Sequence, residues 1–272
     1  MTLTAEEVSG GAEHDFFYLV TRESHPQLKG LDWQRAPGKQ PEPSHSPAIH
    51  VANTESLGVE VVLHHIAPDR LRWEIVPGEK ETAAQTATQG LSDAGRRQAV
   101  LAINLGLAHR KDNRRGLVLD GVQTLPMRPY LGAIEIANGE DLAITYTVED
   151  LAPPGDATEL PLLVEASTMR RHAKKLGARR RRAAACTAED GSLLVASAVY
   201  DTAEPIALAL LDLGCERVVE LNRGRQVRSF VYHAGSETDD DAHGVRELRE
   251  QYVETVLFAL ESSRARGRAR GL

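Results

Sequence analysis

Two short stretches place polar side chains beside glycine at the end of an apolar run: Ala102-Ile103-Asn104-Leu105-Gly106 and Glu220-Leu221-Asn222-Arg223-Gly224-Arg225. Strand ends are where open sheets bind ligands, because side chains there leave a rigid base and enter a crevice. The groups on offer are a carboxylate (Glu220), two amides (Asn104, Asn222) and two guanidinium forks (Arg223, Arg225). Gly106 and Gly224 leave the backbone free for close approach. On a regular strand, Glu220 and Asn222 share one face and Leu221 takes the other, so Glu220 and Asn222 are expected to reach the same crevice.

Other chemistries lack their spacings. There is no His-Glu-x-x-His, no Walker loop, no dinucleotide fingerprint and no Cys-x-x-Cys, so no metal and no cofactor is expected. His64-His65 is a tempting pair, but neighbours on a strand face opposite ways and do not readily share one metal. Asp239-Asp240-Asp241 lacks the spaced ligands and turn glycine of a calcium loop. A formal charge of −7 argues against non-specific nucleic-acid binding. The basic runs Arg179 to Arg182 and Arg264 to Arg270 read as solvated segments. No apolar run is long enough to span a bilayer, so no membrane partner is expected. Met1 to Glu7 lacks the features of a signal peptide, which implies either a cytoplasmic chain or a removed leader. Two cysteines, Cys186 and Cys215, exclude a disulfide framework. Two buried thiols are favoured over a single disulfide, because both lie beside strand or helix ends.

The 272 residues suffice for one large domain with a substantial core. Residues 1–27 read as an extension carrying the apolar stretch Phe16 to Val20. The proline-rich segment 36–47 reads as a long irregular loop, and 263–272 as a basic tail. Between them, alternation predicts strands over Gly58 to Val76, broken at Pro68-Asp69. Thr82 to Arg97 reads as a weak helix, and Ala99 to Ile103 as a strand covered on both faces. Asp120-Gly121, Asn138-Gly139 and Asp190-Gly191 each predict a hairpin with a type I′ turn, which favours a largely antiparallel sheet over a Rossmann arrangement. Ser167 to Gly177 has helix punctuation. Pro205 to Gly214 is the clearest helix, followed by strands at Arg217 to Leu221 and Val227 to Tyr232.

The order of these elements resembles the phosphodiester glycosidase family over roughly residues 28–260. Gly30-Leu31-Asp32-Trp33 is similar to the family's opening strand, and Glu254 to Leu257 to its closing one. Leu160-Pro161-Leu162-Leu163-Val164 and the Arg-x-Ala motif Arg182-Ala183-Ala184 fall between. The resemblance implies an α+β fold over 28–262, a curved, largely antiparallel mixed sheet flanked by helices. It also implies hydrolysis of the bond between a sugar and a phosphodiester. The family's first signature, Ala-Ile-Asn-Gly-Gly-Phe-Phe, is matched at Ala102, Ile103, Asn104 and Gly106, with Leu105 in place of a glycine and Leu107-Ala108 in place of the phenylalanines. The second, Asn-Leu-Asp-Gly-Gly-Gly-Ser, reads Glu220 to Gln226 here, with Asn222 in place of the aspartate and Arg223 and Arg225 in place of glycines.

Glycoside hydrolysis ordinarily uses two carboxylates, and an amide at 222 does not supply one. The expectation is therefore a pseudoenzyme: a binding or scaffold domain in which Arg182, Arg223 and Arg225 line the crevice and suit a phosphosugar or other anion. Two alternatives stand beside it. One is an active hydrolase using Glu220, oriented by Asn104 and Asn222. The other is a structural subunit with a protein partner bound through residues 1–27.

Overall fold

The computed structural model describes residues 30–36, 48–68, 71–78, 91–105, 116–147, 155–223, 231–233 and 255–262. The segments expected at Phe16 to Val20, 37–47 and 263–272 lie outside them, as do Gly106, Gly224 and Arg225. Strands are numbered along the chain. An eight-stranded sheet runs in the spatial order β1 (Gln34–Arg35), β2 (Ile49–Ser56), β3 (Val59–Ile66), β14 (Leu193–Tyr200), β13 (Arg180–Thr187), β15 (Val218–Arg223), β11 (Leu162–Glu165), β12 (Thr168–Met169). A five-stranded sheet is ordered β7 (Val122–Leu125), β6 (Leu117–Leu119), β10 (Asp156–Leu160), β8 (Gly132–Ala137), β9 (Asp141–Tyr146). A four-stranded sheet is ordered β16 (Val231–His233), β5 (Ala99–Asn104), β17 (Val256–Glu261), β4 (Leu71–Val76).

Every pairing among these strands is antiparallel, for example β13 with β14 and β5 with β17. The sheets are therefore not mixed, and they are three rather than one. Two helices are present among the described residues, α1 (Asp93–Gln98) and α2 (Glu204–Asp212).

One apolar cluster draws on all three sheets: Val195 and Val219 from the first, Ile134 and Leu160 from the second, Trp73, Ile103 and Leu257 from the third. Gly132 permits the close approach of the first two, since a Cβ there would overlap Val219 and Leu162. The eight-stranded sheet is covered on its other face as well. Ala184, Cys186, Leu194 and Ala196 pack there against Ile206 and Leu210 of α2, each large aliphatic side chain contributing about 1.5–3 kcal/mol by burial. Pro205 stands in the first turn of α2, where its missing N–H is no loss. β5 is buried at all six positions, as a strand covered on both faces should be.

The three Asx-Gly pairs do turn hairpins, but not all in the same way. Asp120-Gly121 has both residues left-handed and joins β6 to β7 with two residues, as a type I′ turn requires. Asn138-Gly139 is also left-handed at both residues, yet it opens a three-residue loop between Ala137 and Asp141. At Asp190-Gly191 only the glycine is left-handed, and its N–H donates to the Ala188 carbonyl at 3.0 Å. Two further hairpins carry no sequence signal of that kind. Leu57-Gly58 turns β2 into β3 with the leucine at φ 51°, and Ala166-Ser167 turns β11 into β12 with no glycine at all. Neighbouring strand pairing holds these residues in a backbone region they disfavour by about 1–2 kcal/mol.

Several expected elements differ. Ser167 to Gly177 is not a helix. Thr168 and Met169 pair with Glu165 and Val164, and only one turn follows, over 171–174. Strand pairing outweighs the local caps, and like charges in Arg170-Arg171-His172-Ala173-Lys174-Lys175 disfavour a helix there. Of the helix expected at Thr82 to Arg97, only the last part is described, and it begins at Asp93 with Ser92 as its cap. The opening strand lies at Gln34–Arg35, after rather than within Gly30 to Trp33. The strand expected from Arg217 runs Val218–Arg223, and the described part of the next is Val231–His233. Cys186 and Cys215 are joined in a disulfide, not kept as two thiols. Their expected positions beside element ends are correct, but β13 and the end of α2 bring them within bonding reach.

Candidate functional site

β15 carries Glu220 and Asn222 between two neighbours, β13 and β11. Its register with β13 contains a bulge: Glu220 stands opposite Ala184, whereas Asn222 stands opposite Ala183, so Leu221 is the extra residue. Directly opposed residues share a face. Ala184 belongs to the cluster against α2, and Ala183 to the cluster between the sheets. Glu220 and Asn222 therefore face opposite ways, contrary to the regular alternation expected from the sequence.

On the α2 side, Glu220 is fully buried and Arg182 is only 4% exposed. Arg182 Nη1 donates to Glu220 Oε1 at 3.1 Å, and His172 Nε2 meets Glu220 Oε2 at 3.0 Å. The guanidinium also donates from Nε to the Tyr200 carbonyl at 3.3 Å and from Nη2 to the Asp201 carbonyl at 2.8 Å. The same Asp201 carbonyl accepts from Gly177 N at 3.0 Å. The cluster thus ties β13 and β15 to the segment 171–177 by charge-assisted bonds away from bulk water.

On the other face, Asn222 Nδ2 donates to the Asn104 carbonyl at 2.6 Å and links β15 to the end of β5. Asn222 is fully buried, and its Oδ1 has no hydrogen-bond partner among the described residues. Leu105 is fully buried in the central cluster, and its N–H donates to the Thr255 carbonyl at 2.9 Å. Arg223 lies opposite Arg182 along β13.

The expected site residues therefore divide into two groups. Arg182 and Glu220 meet on one face, Asn104 and Asn222 on the other. The sequence reading missed His172. It lies within Ser167 to Gly177, whose punctuation reads as a helix, and its partner is 48 positions away, so no local pattern marks it. His64 and His65 do face opposite ways: His64 opposes Val195 of the central cluster, and His65 opposes Leu194 on the α2 side. Both are buried, and His65 lies edge-on to Trp33. Among the described residues, no group of three or more His, Cys, Asp or Glu side chains could hold a metal ion.

Two other places gather carboxylates. Glu159 is buried and accepts from Arg128 Nε and Arg128 N, both at 2.8 Å, which fixes the chain before β8. Glu74 and Asp156 form a second, weaker grouping. Burial raises the Glu74 carboxyl above its ordinary value, partly opposed by Arg72. Burial likewise raises Asp156, opposed by a hydrogen bond from the Asp120 N–H.

A carboxyl with a raised folded-state pKa binds its proton more tightly folded than unfolded. Its ionisation therefore destabilises the fold progressively as pH rises from roughly 4, where a free carboxyl titrates. Asp156→Asn keeps an oxygen to accept from Asp120 N and removes the charge. The variant should gain stability relative to the parent as pH is raised above that point, and little below it. Urea midpoints measured from acid to neutral pH test this, and a difference that stays constant with pH would refute it.

The chain matches no family model and no curated protein. Its likenesses are structural. The zebrafish N-acetylglucosamine-1-phosphodiester alpha-N-acetylglucosaminidase catalytic domain, auto-inhibited by its pro-peptide, superposes with a TM-score of 0.51 at 13% identity, over 93% of this chain and 94% of that one. A hypothetical protein from Synechocystis gives 0.48 at 11% identity over 79% of this chain, which spans 62% of that protein's length. A putative exported protein from Burkholderia pseudomallei gives 0.44 at 11% identity, over 77% and 74%. At these identities the likeness to the zebrafish domain is one of fold, and a distant one.

Proposed function

We propose that this chain is a binding or scaffold protein on a phosphodiester glycosidase-like fold, without glycosidase turnover. The observation that carries the reading is the placement of Glu220. Its oxygens are engaged by Arg182 and His172 on the α2 side, while the amides that would orient a substrate lie on the other face. A carboxylate held this way is poorly suited to protonate or attack a glycosidic centre shared with Asn104 and Asn222. The ligand class we assign to the Asn104–Asn222 junction is a phosphosugar. The buried Asn222 Oδ1 is an acceptor suited to a sugar hydroxyl, and the phosphate is what the resemblance to the phosphodiester glycosidases implies.

The test is release of free sugar from an N-acetylglucosamine phosphodiester, run beside calorimetric titration with N-acetylglucosamine 1-phosphate. No release above the blank is expected, with binding that weakens in Asn222→Ala. Turnover that disappears in Glu220→Gln would overturn the reading and make the chain a hydrolase.

A further inference from the structure

We infer that the loop between β12 and β13 is a docking site for an anionic lipid surface, a reading independent of any ligand at the Asn104–Asn222 junction. Residues 170–182 hold eight arginines and lysines, and no carboxylate occurs between Glu165 and Glu189, although the chain as a whole carries −7. Such a local excess in an acidic protein has no counterpart in bulk charge balance. Arg170 is paired with Glu165, and Lys174 lies 3.8 Å from Glu204. Among the described residues, Arg171, Lys175, Arg179 and Arg180 have no carboxylate within ion-pairing distance, and the first three are exposed.

The loop is fastened at both sides of its tip. The Ala173 carbonyl accepts from Ala203 N at 3.0 Å, and Gly177 N donates to the Asp201 carbonyl at 3.0 Å. Beneath it, Arg182 holds that same Asp201 carbonyl, and His172 is anchored on Glu220. What projects between the anchors is Lys174-Lys175-Leu176. Leu176 is 76% exposed, the most exposed large hydrophobic side chain among the described residues.

An aliphatic tip flanked along the chain by exposed cations matches the two layers of a membrane surface. The leucine enters the acyl boundary while lysines and arginines remain among anionic headgroups. A single-stranded nucleic acid is disfavoured, because that partner gains from stacking on Phe, Tyr or Trp and residues 170–182 hold none. Peripheral docking needs no spanning segment, so it is compatible with the lack, among the described residues, of any helix long and apolar enough to cross a bilayer.

The full chain is to be sedimented with vesicles of phosphatidylcholine alone, and with vesicles in which about a third of the lipid is phosphatidylglycerol. Binding is expected to the anionic vesicles only, and to fall as salt is added. K175E/R179E should weaken the partition coefficient by more than about 25-fold, at about fivefold per cation removed. L176N should weaken it about fivefold or more through the lost apolar contact. Melting curves of each variant check the fold, with K175Q/R179Q replacing the charge reversal if that melts early. The inference is overturned by absence of binding at low salt, or by binding that survives the loss of both cations. It is equally overturned by tighter binding to duplex DNA that ignores Leu176, which would make the loop a polyanion site instead.

Discussion

Replacing Glu220 by alanine is expected to lower folding stability by about 3–5 kcal/mol, the cost of leaving one partner of a buried ion pair uncompensated. Arg182 would remain in a site where it is only 4% exposed, with its Nη1 donor deprived of an acceptor. His172 would lose the acceptor that anchors it, and with it the segment that carries Gly177 over the Asp201 carbonyl. Glu220→Gln should cost less, since the amide oxygen still accepts one of the two bonds. A double variant, Glu220→Leu with Arg182→Met, should recover much of the loss, because an apolar pair of similar volume removes both desolvation penalties together. Urea unfolding of the parent, Glu220→Leu, Arg182→Met and the double variant closes the cycle. If Glu220→Ala unfolds at the parent's midpoint, the carboxylate is not structural and a chemical role for it regains its basis.

The second large effect is expected from the disulfide. Cys186 and Cys215 are 29 positions apart in the chain, and the bond fastens β13 to the residue after the last turn of α2. In the chain-entropy account, closing a loop of that length restricts the unfolded ensemble by about 3–4 kcal/mol. Cys186→Ala with Cys215→Ala should lose that amount, and the parent reduced while unfolded should refold to a similarly lowered stability. Both side chains are buried, so the native parent should resist reduction until it unfolds. The thiol count settles the premise directly. The parent unfolded in urea without reductant should show no reactive thiol, and two would end the proposal.

These two features differ in how they are written in the chain. The strand at Ala99 to Asn104 is legible because a continuous apolar run of that length has few other uses. The helix at Pro205 is legible because its start, body and stop agree. Asp120-Gly121 is legible because two left-handed residues in succession suit few other pairs. The false helix at Ser167 to Gly177 shows the limit of such local signals: caps alone do not form a helix when the first residues are already paired into a sheet edge. The hairpin at Ala166-Ser167 is the converse, a turn imposed by the strands on either side against the preference of its own residues.

The sequence by itself thus determined the strand-rich architecture, the helix α2 and the two junctions at which polar groups gather, because hydrophobic period and turn chemistry are local properties. Only the tertiary structure decided which of those groups meet. The one-residue bulge in β15 arises from its register against β13, and it sends Glu220 to the α2 face and Asn222 to the other. A period-two pattern carries no mark of where the register slips. The partnership of Glu220 with Arg182 and His172, and of Cys186 with Cys215, likewise depends on which strands become neighbours, and that is settled by how three sheets share one core.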